Sequence, residues 1–412
     1  MNHFHRWLRA TRVCAARCAA FSLLLLVAAT PAGAADAVAA WAAMPTPLLP
    51  TRLPVPDAPG WTLRAEAANF EVADATPVRA LSDDWARYHP RGGRNAALQS
   101  ARIELVAAHA RWEVAAALRS DILIEGSRGA FDLVHAYKQR QTPADGSAFA
   151  VDAQEQGVVS AGLRGARTWV LRPGSDNGLQ ATAALTLLSV RRVQVTDVRG
   201  EVQYSTAAGY AFDAHTLQQD SRKPFGGFGT SGTTGNGYTL DAGLLWQASP
   251  DTFVNLSAGD VLSRLRIRNV AMQQTTLSSS TSSLDGNGFL AYKPLVNGRN
   301  SASDVSLRLT RKWSASVGTR IGAHIGLPAG HALDDALVGA RWERIGNIDL
   351  PALWAVLPLW PGMAAQMDAE TRFRSFGIGL TTRHGSLLLR SSSLPVGTSR
   401  ALGWQASFML PW

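Results

Sequence analysis

The last eleven residues constrain the fold most, because two kinds of side chain alternate along them. Counting back by twos from the C-terminus gives Trp412, Leu410, Phe408, Ala406, Trp404 and Leu402. The positions between them are mostly small or polar: Pro411, Met409, Ser407, Gln405 and Gly403. Successive side chains of a β-strand point to opposite faces, so the pattern predicts a strand with one apolar face. An apolar face that ends in an aromatic residue is expected where one side of the strand meets lipid.

The remainder of the chain favours membrane-crossing strands over membrane-crossing helices. A helix needs about 20 consecutive apolar residues to span a bilayer. The nearest approach after residue 35 is the stretch 350–360, which Pro351 and Pro358 interrupt. Short alternating segments separated by Gly, Asn, Asp and Ser dominate instead. The sequence therefore predicts an all-β fold, a transmembrane antiparallel β-barrel with lipid outside and water inside.

Residues 1–34 have the pattern of a secretory signal peptide. Four basic residues precede the short apolar run 21–29, and the small residues 32–34 follow a proline. This order predicts export across an inner membrane and cleavage after Ala34, since the apolar run is too short to span a bilayer. Both cysteines, Cys14 and Cys18, lie in this segment. A mature chain without cysteine excludes disulfides and thiolate metal sites.

Residues 35–60 are predicted to form an Ala- and Pro-rich periplasmic linker before the barrel of 61–412. Six prolines occur in 44–59, and proline cannot donate a backbone hydrogen bond to a sheet. An alternative is that this segment folds back into the lumen as a plug. After removal of 1–34 the chain has 36 basic and 31 acidic residues. This modest excess on an exported chain does not favour nucleic acid as a partner.

The C-terminal strand resembles the terminal strand of Gram-negative outer-membrane β-barrel proteins, which their insertion machinery reads. Its signal residues are Leu402, Trp404, Phe408, Leu410 and Trp412. Pro411 departs from the pattern, because the penultimate residue has no backbone donor. The resemblance is general and does not identify a subfamily. It implies a barrel in the outer membrane, in contact with lipid and lipopolysaccharide, with its C-terminus in the periplasm.

The spacing of turns predicts about twelve strands, within a range of roughly ten to fourteen. The strongest hairpins join 237–246 to 252–258, 372–382 to 385–392, and 385–392 to the C-terminal strand. Further strands are predicted to begin near Gln99, Arg111, Gly157, Leu179, Gly200, Asp304 and Ala336. Trp61–Phe70 is an additional candidate. The tight turns 249–251 and 383–385 are then periplasmic, and three long loops, 223–237, 273–288 and 345–363, face outward.

Three arginines, Arg264, Arg266 and Arg268, alternate with Leu265 and Ile267. A guanidinium facing lipid at mid-membrane costs roughly 2–4 kcal/mol, so we expect the arginines to face the lumen. Such a row would favour anions in a water-filled pore. Alternatively, the arginines pair with luminal carboxylates and help to close the barrel; the candidate partners are Asp241 and Glu343. Five tryptophans are predicted to form interfacial girdles: Trp169, Trp246, Trp313, Trp342 and Trp404.

One segment, His384-Gly385-Ser386, is similar to the catalytic pair of outer-membrane phospholipase A and of lipid A deacylases. Those families orient the histidine with a downstream Asn or acidic residue. No Asp, Glu or Asn follows Glu370 here, so the histidine would be a poor base. Other histidines lack metal-ligand spacing. We therefore expect no enzymatic activity, no metal and no cofactor.

Two functions remain open from the sequence. The first is a pore, or the outer-membrane component of a transport or export system, with an anion bias from the arginine row. The second is a closed structural or accessory barrel that binds envelope or secretion partners through its loops or linker. A continuous wet channel would favour the first function, and a plugged lumen with paired charges would favour the second.

Overall fold

The structure is a computed structural model that describes residues 60–174, 177–222, 235–284, 290–292, 294–322, 333–382 and 384–411. The predicted signal peptide and all but the last residue of the predicted linker lie outside the described residues. So do most of the predicted loop 223–237, residues 285–288 of the predicted loop 273–288, and Trp412.

The described residues form eighteen strands, one α-helix and two short 3-10 turns. The strands are β1 (Trp61–Ala73), β2 (Asn95–His109), β3 (Trp112–Gly126), β4 (Ser147–Arg172), β5 (Gly178–Ser205), β6 (Gly209–Asp220), β7 (Gly235–Gln247), β8 (Thr252–Ser278), β9 (Ser282–Leu284), β10 (Leu290–Tyr292), β11 (Val296–Leu307), β12 (Lys312–Arg320), β13 (Leu337–Ile345), β14 (Ile348–Trp360), β15 (Met363–Glu370), β16 (Ser375–Thr382), β17 (Gly385–Ser391) and β18 (Ala401–Pro411). The helix is α1 (Arg128–Gln139), and the 3-10 turns are Ala80–Ser82 and Val396–Thr398.

Fourteen of these strands close an antiparallel barrel, which confirms the predicted fold class. The ring runs β1, β2, β3, β4, β5, β7, β8, β12, β13, β14, β15, β16, β17 and β18. The last strand pairs with the first from Thr62↔Pro411 to Val72↔Ala401, so neither strand is left as an edge. The predicted hairpins β7–β8, β16–β17 and β17–β18 are present.

The predicted number of twelve strands is wrong, mainly because residues 345–363 are not a loop. They contain most of β14, which pairs with β13 and β15 across the whole barrel wall. Its prolines lie where a hydrogen-bond ladder is interrupted: Pro351 is beyond the end of β15, and Pro358 precedes a register shift. The strands β1 and β15 also join the ring. The candidate near Gly200 belongs to a pairing with β6, outside the ring.

The two ends of the barrel differ in the length of their connections. We call the end that carries Trp61 and Pro411 the terminal end and the opposite end the distal end. Most connections at the terminal end are short, including the predicted turns 249–251 and 383–385. Longer connections lie at the distal end, among them residues 74–94 and the segment that contains α1.

Several strands continue past the distal end as a protruding sheet, which we call the extended sheet. It consists of residues 147–159 of β4, 191–205 of β5, 264–278 of β8, and all of β6 and β11. Its inner face and the adjoining residues of the barrel form a buried apolar cluster of Val158, Leu188, Val190, Val193, Leu265, Ile267, Val270, Val305 and Leu309. Because these residues come from β4, β5, β8, β11 and the segment after β11, the sheet curls inward over one side of the barrel.

The outer face of the barrel is apolar and is bordered by tryptophans at both ends. Exposed Leu, Val, Ile and Phe side chains occur on most strands of the wall. Trp61, Trp112, Trp169, Trp246 and Trp360 are exposed near the terminal end, and Trp313 and Trp342 near the distal end. Trp404 is half-buried. Tryptophan prefers the membrane–water interface, so this outer surface suits a barrel that crosses a bilayer.

A tight hairpin, β13–β14, closes the distal mouth of the barrel. Its buried residues Ile345, Ile348 and Leu350 pack against Phe70, Val72 and Leu98 of the opposite wall. At the turn, the backbone N–H of Asn347 donates to Glu125 at 3.4 Å, and its carbonyl accepts from Arg372 at 3.2 Å. Apolar contacts therefore join strands that lie on opposite sides of the ring.

The connection 74–94 and α1 pack together beside this hairpin. Trp85 contacts Phe131, and the Tyr88 ring stacks on His135 at a centroid distance of 4.3 Å. The Tyr88 hydroxyl donates to Asp132 at 2.7 Å, and burial together with this carboxylate raises the pKa of Tyr88 well above its ordinary value. Ser127 caps the start of α1 by accepting from Ala130. None of the described helices has the length and apolar content to cross a bilayer.

Candidate functional site

The lumen is the candidate functional site, and buried ion pairs occupy much of it. A first cluster lies along β1 to β4 and consists of Arg64, Glu66, Arg102, Glu104, Glu113 and Arg164. Arg64 Nε lies 2.5 Å from Glu66 Oε1, and Arg164 Nη2 lies 3.3 Å from Glu104 and 3.4 Å from Glu113. Three arginines and three glutamates balance each other.

A second group, the cross-lumen cluster, ties together strands from opposite walls. Arg119 on β3 binds both carboxylate oxygens of Asp260 on β8, at 2.7 and 2.6 Å. Asp121 accepts from Arg119 at 2.7 Å and from Lys312 on β12 at 2.8 Å. In the ring, β4, β5 and β7 lie between β3 and β8. The contacts of Arg119 and Asp121 with Asp260 and Lys312 therefore cross the lumen and divide it into two parts. Bidentate charge-assisted bonds of this kind hold a fixed geometry.

The backbone of β8 is shaped to place Asp260 in this cluster. Asp260 has a φ of 56°, in the left-handed region, at a bulge where the pairing of β7 with β8 changes register. The bulge turns the carboxylate inward, where Thr239 Oγ1 donates to it at 2.8 Å. The Asp260 backbone N–H donates to Asp241 at 2.9 Å. Asp241, a predicted partner of the arginine row, therefore supports this cluster instead.

A third cluster lies on the other side of the lumen, between β13, β15 and β17. Asp368 accepts from Arg341 at 3.1 Å and forms a close ion pair with Arg390. Arg341 Nε also lies 3.5 Å from Glu343, the other predicted partner of the arginine row. All four side chains are at most 4 % exposed. Arg390 also lies over the ring of Phe70, at 5.6 Å from its centroid.

One cavity between these clusters is small. It lies between the first and the cross-lumen clusters and has a volume of about 40 Å³. It is lined by charged and hydroxyl side chains, among them Glu104, Arg119, Arg164, Thr186 and Asp241. A cavity of this size and polarity holds about three water molecules.

The luminal clusters have a sequence signal that lies outside the motifs described above. Within these clusters, four strands carry an arginine followed two positions later by an acidic residue. The pairs are Arg64 with Glu66, Arg102 with Glu104, Arg119 with Asp121, and Arg341 with Glu343. Residues i and i+2 of a strand share a face, so each pair points into the lumen together and is neutral.

The prediction that Arg264, Arg266 and Arg268 line the lumen is wrong. All three are exposed, whereas Leu265 and Ile267 are 0 % and 1 % exposed in the apolar cluster of the extended sheet. The prediction assumed that this part of β8 crosses the membrane. It lies instead just beyond the apolar outer belt, where the inner face is packed and the outer face is free. The predicted anion bias therefore loses its basis.

The C-terminal strand β18 has one partly exposed outer face and one face toward the lumen. Leu410 is exposed on the outer face, and Leu402, Trp404 and Phe408 are partly exposed. Gln405, between them, is buried in the lumen.

The residues that resemble a lipase pair are engaged elsewhere. Ser386 is 1 % exposed, and its hydroxyl shares a hydrogen bond of 2.8 Å with Ser407. His384 lies in the turn before β17, and its backbone N–H donates to Thr382. In the part of the chain that the structure describes, no group of three or more His, Cys, Asp or Glu side chains could hold a metal ion.

The closed ring, its apolar belt with tryptophan borders and its polar interior define a transmembrane β-barrel of the bacterial outer-membrane type. No family model matches the chain, and no curated protein matches its sequence. Solved structures that resemble it include the toluene transporter TodX of Pseudomonas putida, with 8 % identity, a TM-score of 0.38, and coverage of 86 % of this chain and 88 % of that one.

Two further structures show a similar degree of likeness. A FadL homologue of Pseudomonas aeruginosa has 11 % identity and a TM-score of 0.36, covering 86 % of this chain and 90 % of its own. The translocator domain of the autotransporter NalP from Neisseria meningitidis has 10 % identity and a TM-score of 0.29, with the same coverage. At this distance the likenesses carry no information on cargo or mechanism.

Proposed function

We propose that this protein is an outer-membrane transport barrel that is shut in its resting state. The observation that carries the proposal is the packed lumen, in which buried ion pairs and the apolar distal mouth join strands across the ring. Solutes would pass only after a movement of the β13–β14 hairpin, which carries Arg341 and Glu343 of the third cluster and would open the mouth and that side of the lumen together. The protein is therefore a gated pore or the outer-membrane component of a transport or export system, without a charge preference.

The length of the connections supports an orientation for this barrel. Outer-membrane barrels have short periplasmic turns and longer outer loops. We propose that the terminal end faces the periplasm and that the distal end, with the extended sheet and α1, faces outward. The predicted linker would then lie in the periplasm.

The β13–β14 hairpin is the part of the closure best suited to move. It is joined by a turn of two residues, Gly346 and Asn347, and its tip is held to the opposite wall mainly by apolar contacts. The cross-lumen cluster, in contrast, has four buried charges that would each lose a partner on separation. Opening at the hairpin therefore costs less than opening at the cross-lumen cluster.

Channel recordings in planar bilayers test the proposal. Folded wild-type protein should give no steady conductance, since its lumen is filled. The variant I345N/I348N places two amides in the apolar contact with Phe70 and should produce conductance steps, because the hairpin no longer packs inward. The control R344N/D349N changes the exposed neighbours on the same hairpin and should stay silent.

A crosslink gives an independent readout of the same movement. Glu125 and Asn347 are in contact across the mouth, and the predicted mature chain has no cysteine of its own. Bridging E125C/N347C should abolish the steps in the I345N/I348N background, and reduction should restore them. Steady conductance from wild-type protein, or steps that survive the bridge, would contradict a gate at this hairpin.

The second candidate function is a closed accessory barrel that binds envelope or secretion partners through its distal surface or its linker. The balance of charges within each luminal cluster favours the closed accessory barrel. Buried charges that are paired are stable in the closed state and costly to separate. Silence from folded I345N/I348N would support this candidate over transport.

We also propose that the protein is not a hydrolase. Ser386 is buried and bonded to Ser407, and His384 lies at the terminal end, away from the outer surface.

Recognition by the outer-membrane insertion machinery is a further proposal, supported by the outward apolar face of β18. L410S should lower the heat-modifiable, assembled fraction in outer-membrane preparations severalfold, because it breaks the apolar row near the C-terminus. The matched control M409S changes the neighbouring residue on the opposite face and should assemble normally. Equal assembly of the two variants would argue against a signal read from the outer face.

A further inference from the structure

We propose that Arg264, Arg266 and Arg268 form a binding site for the phosphate groups of lipopolysaccharide in the outer leaflet. The inference rests on the outward orientation of the distal end proposed above. It assigns a role to a row of arginines that the closed lumen leaves unused.

The position of the row relative to the apolar belt is given by strand register. Leu185, Leu240 and Leu262 are neighbours across β5, β7 and β8, and they belong to the outer belt. Two residues closer to the distal end, the neighbours in register are Leu187, Tyr238 and Arg264. Two residues further, they are Ser189, Asn236 and Arg266. The outer surface thus changes from apolar to polar within two steps along the strands. The arginines begin where the belt ends.

This level corresponds to the headgroups of a bilayer. Tyr238 is exposed in the line of Arg264. Aromatic residues of this kind mark the membrane–water interface. With a rise of about 3.3 Å per residue, three arginines at alternate positions cover roughly 13 Å along the strand. That length matches a layer of charged headgroups rather than a single small anion.

The charges of the row are not compensated by ion pairs with other residues that the structure describes. Arg308 and Arg191 are also exposed and lie near the row by strand register, which adds to the positive potential. Asp304 lies beside the distal end of the row, where its carboxylate accepts from the backbone N–H of Asn269 at 3.3 Å. Positive charge therefore prevails at Arg264 and Arg266 and is reduced near Arg268.

The chemistry of the row selects phosphate on a membrane-bound molecule. Guanidinium groups bind phosphate through paired, charge-assisted hydrogen bonds. Leu262 lies directly below the row and Leu187 lies level with Arg264, so both would contact the acyl chains of the same lipid. A phosphorylated glycolipid provides both partners, since its phosphates lie at the top of its acyl chains. Free phosphate would use only the arginines.

Equilibrium binding of bisphosphorylated lipid A to purified full-length protein in detergent tests this site. EDTA is included, because divalent cations would otherwise bridge the phosphates. R264Q/R266Q/R268Q should bind about 100-fold more weakly than wild type, from roughly fivefold per basic residue near an anionic surface. R266Q alone should bind about fivefold more weakly. The control R87Q/R140Q/R299Q removes the same charge from exposed distal positions and should bind as wild type.

Three further probes separate this lipid from other sources of phosphate. Dephosphorylated lipid A should bind wild type and the triple variant equally weakly. Phosphatidylglycerol and inorganic phosphate should each bind wild type much more weakly than bisphosphorylated lipid A. Equal affinity of wild type and triple variant for lipid A, when both are heat-modifiable, would overturn the proposal. So would equal affinity for phosphatidylglycerol or for inorganic phosphate. These outcomes do not depend on whether the lumen opens.

Discussion

Replacing Asp368 by asparagine is expected to destabilise the barrel by about 3–5 kcal/mol, since it leaves two buried guanidinium groups without their shared carboxylate. Asp368 is 3 % exposed and accepts from both Arg341 and Arg390. Water cannot replace the lost charge at this depth. The measurement is the free energy of unfolding in detergent micelles, from urea titrations followed by tryptophan fluorescence.

The same substitution at an exposed site is the control for D368N. Asp349 lies 3.9 Å from Arg344, and both side chains are nearly half-exposed. D349N should change the free energy of unfolding by less than about 1 kcal/mol, because exposed ion pairs contribute little. The double variant D368L/R390M removes carboxylate and guanidinium together and should recover most of the loss. If D368N and D349N had the same free energy of unfolding, the third cluster would not contribute to the stability of the barrel.

Truncating Trp354 is expected to have an effect of similar size on the apolar part of the lumen. Trp354 is 5 % exposed and stacks on Phe253 at 6.0 Å in a cluster with Leu337 and Val356. W354A should lower the free energy of unfolding by about 3–5 kcal/mol, since it removes a large buried ring and leaves a cavity. W360A, at the exposed end of the same strand, should cost clearly less.

Glycine at position 318 gives an independent test of where the Trp354 ring lies. A Cβ at Gly318 would lie 2.4 Å from Phe253 Cζ and 2.6 Å from Trp354 Cη2, which is too close for either ring. G318A should therefore be destabilising in the wild type. In the W354A background one of the two clashes is absent, so the double variant should lose less than the sum of the single losses. Strict additivity of G318A and W354A would mean that the two positions are not in contact.

The barrel fold could be predicted because its signals are local. The alternation at Leu402, Trp404 and Leu410 is visible within a single strand, because one face of that strand meets lipid. The hairpins β7–β8 and β16–β17 were found because turn residues separate two alternating segments. These patterns do not depend on what lies across the lumen.

The strand β14 could not be found this way, because both of its faces are apolar. Leu350, Trp354 and Val356 pack in the lumen while Leu353 and Leu359 face outward. A strand with two apolar faces has no alternation, and prolines at 351 and 358 strengthen the resemblance to a loop. The lumen is apolar here only because β1, β2 and β8 supply the partners, which is a property of the tertiary structure.

The arginine row was placed on the wrong face for a related reason. Alternation correctly separates Arg264, Arg266 and Arg268 from Leu265 and Ile267, but it does not say which set faces inward. That choice depends on height along the barrel axis. Within the bilayer the arginines would have to face the lumen; beyond it, the curled extended sheet offers an apolar interior to the leucine and isoleucine instead. The end of the belt is visible only in the register of neighbouring strands.

The spacing of charges along single strands also bears on the order in which the wall can enter a bilayer. Arg64 with Glu66 and Arg341 with Glu343 are neutral pairs before any neighbour arrives, so β1 and β13 expose little uncompensated charge during insertion. Lys312 and Asp260 have no such partner two residues away. Their charges are compensated by Arg119 and Asp121 of β3. This requires that β3, β8 and β12 already face one another across the curved wall. The cross-lumen cluster therefore cannot form within any single hairpin.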